Sequence, residues 1–267
     1  MGLTALFSAA TGMKAQETNI DVIANNIANV NTTAFKRVRA NFQDLLYQRL
    51  SAAGAVDASN NQVPSETVVG LGVQLVNTQR EFAQGRLEMT GRDLDVAVEG
   101  KGFFQVILPE DVGRGGLGYT RDGNFYVDAE GQLVTSQGYK VQPNITFPTT
   151  FTTVSIAKDG TISVQTPDST AMQDLGQLNL ATFINQEGLE SIGNNIYIET
   201  DASGAPLTDV PGAQGLGLLN QGFLESSNVE LVEELVAMIR AQRAFEFNSE
   251  SIKTSDEMLQ ILSTLRR

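Results

Sequence analysis

Apolar side chains recur every seven residues at both ends of this chain. In the first part of the sequence Leu6, Met13, Ile20 and Ile27 form one row, and Ala9, Gln16, Ile23 and Val30 form a second row three residues behind it. The last part repeats the design: Leu231, Met238, Phe245, Ile252 and Leu259 recur every seven, interleaved with Leu235, Gln242 and Ser249. Two rows offset by three make one narrow seam along a helix, a coiled-coil pattern rather than the broad apolar face of a globular helix. No proline interrupts either segment. From Leu3 to Val30 the first helix is expected to run roughly 42 Å. Ser227-Asn228-Val229-Glu230 fits a capping box at the start of the second, with Ser227 closing the first turn and Glu230 reaching back. Polar Gln16, Gln242 and Ser249 sit in the seams, where such residues set register.

Between the seams the pattern changes to short strands and turns. Phe103 to Leu108 and Leu178 to Phe183 have strand composition, and Asp122-Gly123, Glu130-Gly131, Asp159-Gly160 and Glu187-Gly188 punctuate as turns. One hairpin can be read for register. A three-residue loop Lys158-Asp159-Gly160 sets Ile156 opposite Ile162 and Val154 opposite Val164, so all four apolar side chains share a face; a two-residue loop would set Ile156 opposite Ser163. Ser51 to Ser65 is small, polar and too long for a simple connector. The expected class is α+β: N- and C-terminal helices forming a coiled-coil-like assembly domain, with an antiparallel all-β centre. The expected divisions are an N-terminal assembly helix over 1–46, an extended segment over 47–73, the β domain over 74–225 and a C-terminal assembly helix over 226–267.

Composition narrows the chemistry. The 267 residues include 18 Lys+Arg against 31 Asp+Glu, a net charge of −13. Nucleic acid and anionic membrane surfaces both favour cationic partners and are not expected ones. Cys, His and Trp are absent, which excludes Ser-His and Cys-His catalysis, thiolate metal sites and disulfides. Carboxylate-pair and Ser-Lys chemistry remain open. No apolar run approaches the ~18 residues of a membrane-spanning helix, and the N-terminus does not read as a cleaved secretory signal.

The chemical motifs do not assemble. Gly113-Arg114-Gly115-Gly116-Leu117-Gly118 matches a dinucleotide fingerprint, but Tyr119 to Gly123 follows as strand and turn rather than helix, so a hairpin loop is expected. Gly100-Lys101-Gly102 lacks the hydroxyl partner of a phosphate-binding loop. Asp93 and Asp95 read as solvated edge carboxylates rather than a metal pair, and Asp122 to Gly131 does not satisfy calcium-loop spacing. No catalytic, cofactor-binding or metal residue is expected.

The segment Ala24-Asn25-Asn26-Ile27-Ala28-Asn29-Val30-Asn31-Thr32-Thr33-Ala34-Phe35-Lys36-Arg37 closely resembles the signature of flagellar rod and hook proteins. Asn25, Asn26, Asn29, Thr32, Phe35 and Lys36 carry the likeness, and the Asn and Thr side chains also suit backbone bonding at a helix end. Ala34 stands where the family usually has Gly, which puts the tight turn there in question. The resemblance continues through Glu99 to Val106, Tyr119 to Phe125, Gly131 to Thr135, Gly188 to Gly193, Gln221 to Val229 and Glu233 to Glu246. Asp44 to Gln48 and Val63 to Val73 resemble the long segment of the family's distal-rod members. The likeness implies a non-enzymatic structural subunit with no cofactor. It implies export through the flagellar type III apparatus without a cleaved signal and polymerisation into the hollow rod of the basal body, where the helices line the tube and the rod transmits torque. It implies as partners further copies of itself, proximal-rod and hook subunits, peptidoglycan and outer-membrane ring proteins and the rod cap. The seam residues above, Leu6, Met13, Ile20, Ile23, Ile27, Val30, Leu231, Leu235, Met238, Phe245, Ile252 and Leu259, are then the expected assembly interface. Rival readings are a proximal-rod or hook paralogue, a cell-wall hydrolase acting through paired carboxylates, and a β-rich adhesin on helical stalks.

Overall fold

The computed structural model describes residues 2–54, 65–109, 113–167 and 169–265. The fold is α+β and divides into two compact units: residues 1–28, 38–80 and 230–267 form one, and 29–37 with 81–229 form the other.

The first unit joins the two ends of the chain. Helix α1 spans Gly2–Ala28 and helix α2 spans Leu231–Leu265. They pack on one another, and α1 also packs on a two-stranded ribbon. One arm of the ribbon is β1 (Val38–Asp44) and β2 (Tyr47–Ser51); the other is β3 (Thr67–Gly70) and β4 (Val73–Arg80). β1 pairs with β4 and β2 with β3, both antiparallel. Leu45 N–H donates to Gly72 O at 2.9 Å and Leu71 N–H to Leu46 O at 3.3 Å, carrying the ladder across the kink between the two pairs. At ~3.3 Å per residue each arm is about 45 Å long. A ribbon of two strands is marginal in water without a packing partner. Here α1 supplies one: Ser8 Oγ donates to Gly70 O at 3.3 Å and Val73 N–H to Thr11 Oγ1 at 3.4 Å. Gly72, at φ +117°, is needed there, because a Cβ would stand 2.1 Å from Thr11 Oγ1.

Two expectations are corrected here. α1 ends at Ala28, close to the Leu3 to Val30 read from its repeat, but the rest of the division expected as an assembly helix over 1–46 is not helical: 38–44 is strand, because its seven residues find partners in 73–80 that outweigh any local helical preference. The capping box at Ser227 does not form. Ser227 Oγ accepts from Val229 N–H at 3.3 Å, and the first helical bond runs from Glu234 N–H to Glu230 O at 3.1 Å, so α2 begins three residues later. Of the Ser51 to Ser65 segment, 55–64 lies outside the described residues.

The second unit is the β body. Its largest sheet has seven strands centred on Phe103–Ile107, which pairs with Leu117–Thr120 on one side and with Leu180–Thr182 and Val141–Gln142 on the other. Ile196–Ile198 and Glu190–Gly193 extend one edge, and Leu207–Asp209 the other. A three-stranded sheet holds the hairpin read from sequence: Val154 pairs Val164 and Ile156 pairs Ile162, all four buried. Gly160 takes φ +87° in the three-residue loop, and its N–H bonds Ala157 O at 3.0 Å. Phe103–Ile107 and Leu117–Thr120 also form a hairpin, as expected of the glycine-rich connection, part of which (110–112) is outside the described residues. The main core gathers Phe104, Val106, Phe125, Leu133, Ile162, Leu178, Leu180 and Leu219. A second cluster stacks Phe103, Tyr119, Phe183 and Tyr197 edge to face. Each such aromatic pair adds about 0.5–1.5 kcal/mol beyond its buried area.

Candidate assembly site

Two features carry the functional reading, one in each unit. In the helix pair the contact face of α2 is a row of small and polar residues. Glu234, Ala241 and Ser255 are buried and Asn248 is half-buried, again every seven residues. The contact is close: a Cβ on Gly12 of α1 would stand 2.9 Å from the Asn248 amide nitrogen. Asn26 Nδ2 bonds Glu234 Oε2 at 3.3 Å and Val38 O at 2.8 Å, while Val38 N–H donates to Asn26 Oδ1 at 3.0 Å. Asn26 thus serves as a strand partner to the first residue of β1 while it closes the helix pair.

On α1 the expected seam is sheltered. Ala9 and Ile23 are buried, and Leu6, Met13, Ile20 and Ile27 are half-buried. Val30 falls in the turn after the helix, half-buried. On α2 the expected seam is displaced. Met238 and Ile252 are half-buried, but Leu231, Leu235, Phe245 and Leu259 are exposed. The face turned to α1 is offset by one residue from the expected row, about 100° around the helix. Small residues permit the close approach, so the large ones face away. Val232, Leu235, Val236 and Ile239 follow the i, i+3, i+4, i+7 spacing of a helix face, and all four are exposed in the single chain. An exposed apolar stripe of this kind is a candidate surface for contact with another chain.

The signature residues lead to the second feature, within the β body. Asn25 is exposed; Asn29 and Thr32 close the turn after α1, Thr32 Oγ1 donating to Asn29 Oδ1 at 3.1 Å. Phe35 is buried, and Lys36 is wholly buried. Lys36 Nζ lies 2.6 Å from Glu225 Oε1 and donates to Ala83 O at 2.8 Å. Arg121 Nε stands 3.3 Å from Glu225 Oε2, and its other nitrogens donate to Gly102 O at 2.7 Å and Gly100 O at 2.8 Å. Gly85 N–H also donates to Glu225 Oε1, at 2.8 Å. Burial lowers the pKa of Lys36; the Glu225 carboxylate opposes that and the Arg121 charge adds to it. Burial likewise lowers Arg121, against the pull of Glu225. One carboxylate therefore holds two buried cations, the three side chains coming from three distant parts of the sequence. Around it Arg37 N–H donates to Asn228 Oδ1 at 2.7 Å, Asn195 Nδ2 to Thr33 O at 2.8 Å, and Ala34 N–H to Glu225 O at 2.7 Å. The triad was missed from sequence, where its only signal is a charge embedded in each of Phe35-Lys36, Tyr119-Thr120-Arg121 and Phe223-Leu224-Glu225.

Ala34 keeps the tight turn without glycine, at φ 56° and fully buried. Ala34→Gly would relieve a left-handed penalty of about 1–2 kcal/mol. It would also lose a buried methyl worth about 0.8 kcal/mol and gain unfolded-state freedom worth about 0.4–1 kcal/mol. Its net effect is expected within about 1 kcal/mol of zero. Ala34→Val is expected to cost more than about 2 kcal/mol, since a β-branched side chain fits neither the backbone nor the space. Urea denaturation of both variants checks this; a Val variant as stable as the parent contradicts it.

Asp95, expected as a solvated carboxylate, is buried instead, accepting from Thr90 Oγ1 at 2.6 Å beside Arg92 Nη1 at 3.3 Å, because it bridges to Asn124 in the sheet. Burial, with Asp95 nearby, raises the pKa of Asp122.

Three family descriptions match this chain in order. Residues 6–36 match "Flagella basal body rod protein", 97–164 match "Flagellar hook protein FlgE/F/G D1 domain", and 220–265 match "Flagellar basal body rod FlgEFG protein C-terminal". The chain is 49% identical over 263 residues to the flagellar basal-body rod protein FlgG of Buchnera aphidicola, covering 98% of this chain and 100% of that one. It is 47% identical over 267 residues to the protein of the same name from Borreliella burgdorferi, covering 99% of each. Over 265 residues it is 47% identical to that of Caulobacter vibrioides, covering 99% of this chain and 100% of that one.

Proposed function

This chain belongs to the flagellar basal-body rod protein family, and on that premise we propose that it is the structural subunit of the distal rod. Copies polymerise into a hollow shaft that crosses the periplasm and carries motor torque to the hook. The observation that carries this reading is the exposed apolar stripe of α2, Val232, Leu235, Val236 and Ile239, in a chain whose two helices already pair through their small faces. At about 25 cal/mol per Å² of apolar surface, burying such a stripe on every copy is a strong drive for assembly. Proximal-rod subunits, the hook subunit, the peptidoglycan and outer-membrane ring proteins, the rod cap and the type III export apparatus are its further proposed partners. A proximal-rod or hook paralogue is the second reading. The near-complete agreement in length with relatives of one rod name favours the first.

The ribbon gives the rod its proposed stiffness. Leu46, Tyr47, Leu50, Val68 and Val76 are exposed along it. Among the described residues no third strand pairs with it. Wedged between copies, such a ribbon stops them sliding. Deleting 48–66, which removes most of β2 and the segment after it, is expected to leave a polymer that forms but bends when viewed by electron microscopy. Straight, rigid rods from the deletion variant would refute the role.

A further inference from the structure

The β body carries a groove beside its aromatic cluster. Phe82, Phe103 and Arg121 line a hollow of about 270 Å³, and a second of about 460 Å³ adjoins it along Thr182 to Glu187. Phe82 and Phe103 meet edge to face at 5.5 Å and give it an aromatic floor. Lys101 lines both hollows, is exposed, and makes no ion pair among the described residues. Ile184 lies along it, 87% exposed. The chemistry calls for an apolar side chain with a carboxylate a few ångströms away.

Among the described residues one large apolar side chain comes next to Ile184 in exposure, ahead of Met89 at 78%. That is Leu46, 84% exposed at the kink of the ribbon. Asp44 is exposed two residues before it. Charge points the same way. Each copy carries a net −13, so approaching copies repel except where an unpaired cation meets a carboxylate.

We infer that the groove is a socket for the ribbon kink of a second copy of this chain, with Leu46 over Phe82 and Phe103 and Asp44 paired to Lys101. The inference rests on the polymeric reading above and adds to it a contact between β body and ribbon, separate from the helices. The absence of cysteine from the chain allows a direct test. Single variants Leu46→Cys and Ile184→Cys, both at exposed positions, are mixed in equal amounts, polymerised and oxidised. A disulfide needs Cα atoms about 4.4–6.8 Å apart, so mixed 46–184 dimers, identified by mass, are the expected product. Polymers without mixed dimers overturn the socket and leave the rod reading standing. Dimers from Ile184→Cys alone place groove against groove and also overturn it. Failure of the unsubstituted chain to polymerise overturns both readings. Separately, Lys101→Glu is expected to raise the critical concentration for assembly at least tenfold, and Asp44→Lys in the same chain to bring it back within about threefold of the parent. No change in the single variant, or no recovery in the double, contradicts the pairing.

Discussion

Glu225→Gln is expected to lower the stability of the β body by about 3–5 kcal/mol, and Lys36→Met by roughly half as much. The asymmetry follows from charge arithmetic in a place water does not reach. Among the described residues Glu225 is the anion in contact with both cations, Lys36 at 2.6 Å and Arg121 at 3.3 Å. Removing it leaves two buried positive charges facing each other, and breaking a buried ionic set in this way costs about 3–5 kcal/mol. Burial already disfavours the charged form of Lys36, and Glu225 is what opposes that. Removing Lys36 instead leaves Arg121 and Glu225 balanced. Ala83 O keeps a donor in Asn228 Nδ2 at 3.1 Å, so no carbonyl is orphaned. What is lost without a replacement donor is the charged hydrogen bond to Glu225 Oε1, about 1.5–3 kcal/mol. The double variant is expected to cost less than the sum of the singles by at least about 1 kcal/mol, since the two residues share one network. Urea midpoints of the three variants check the order. A Lys36 variant less stable than the Glu225 variant would contradict the account of the triad.

The second large effect separates folding from assembly. Ile23 and Phe245 were expected to play equal parts in one seam, but they occupy different places. Ile23 is 5% exposed against its own chain, whereas Phe245 is 38% exposed in the single copy. Ile23→Asp puts a charge into the packed helix pair and is expected to destabilise that unit by several kcal/mol, seen as lost helical circular dichroism. Phe245→Asp is expected to leave the monomer's helicity and melting within about 0.5 kcal/mol of the parent, as surface changes do. Its cost falls on assembly, where the new carboxylate must be desolvated between copies, and polymerisation is expected to fail. Equal effects of the two variants on the monomer would mean that α2 turns its large apolar face inward.

What could be read from the sequence divides along the same line. The hairpin at Val154 to Val164 was legible because alternation and loop length are local, and only one register puts four apolar residues on a face. The two terminal helices were legible from their repeat. The face that α2 turns to α1 was not, because reading a seam by its largest residues assumes they are buried within the chain. In this subunit Ala241, Asn248 and Ser255 make the internal contact, and Ile239 and Phe247 are left outside. β1 was hidden because Val38-Arg39-Ala40-Asn41-Phe42 has its partners more than thirty residues further on. The triad was hidden for the same reason on a larger scale, Lys36 and Glu225 being 189 positions apart. The likeness of segments 24–37, 119–125 and 221–229 to one family was visible, but not that their charged residues meet.

The central claim is that the exposed stripe of α2 is buried by neighbouring copies in a tube. Electron microscopy of the purified full chain at rising concentration tests it, with Ile239→Asp prepared alongside. Ile239 is 51% exposed, so the variant is expected to fold as the parent does. The account predicts hollow rods from the parent above a critical concentration, and only monomers from the variant at the same and at tenfold higher concentration. Rods from Ile239→Asp at the parent's concentration would show that the stripe is not the assembly surface.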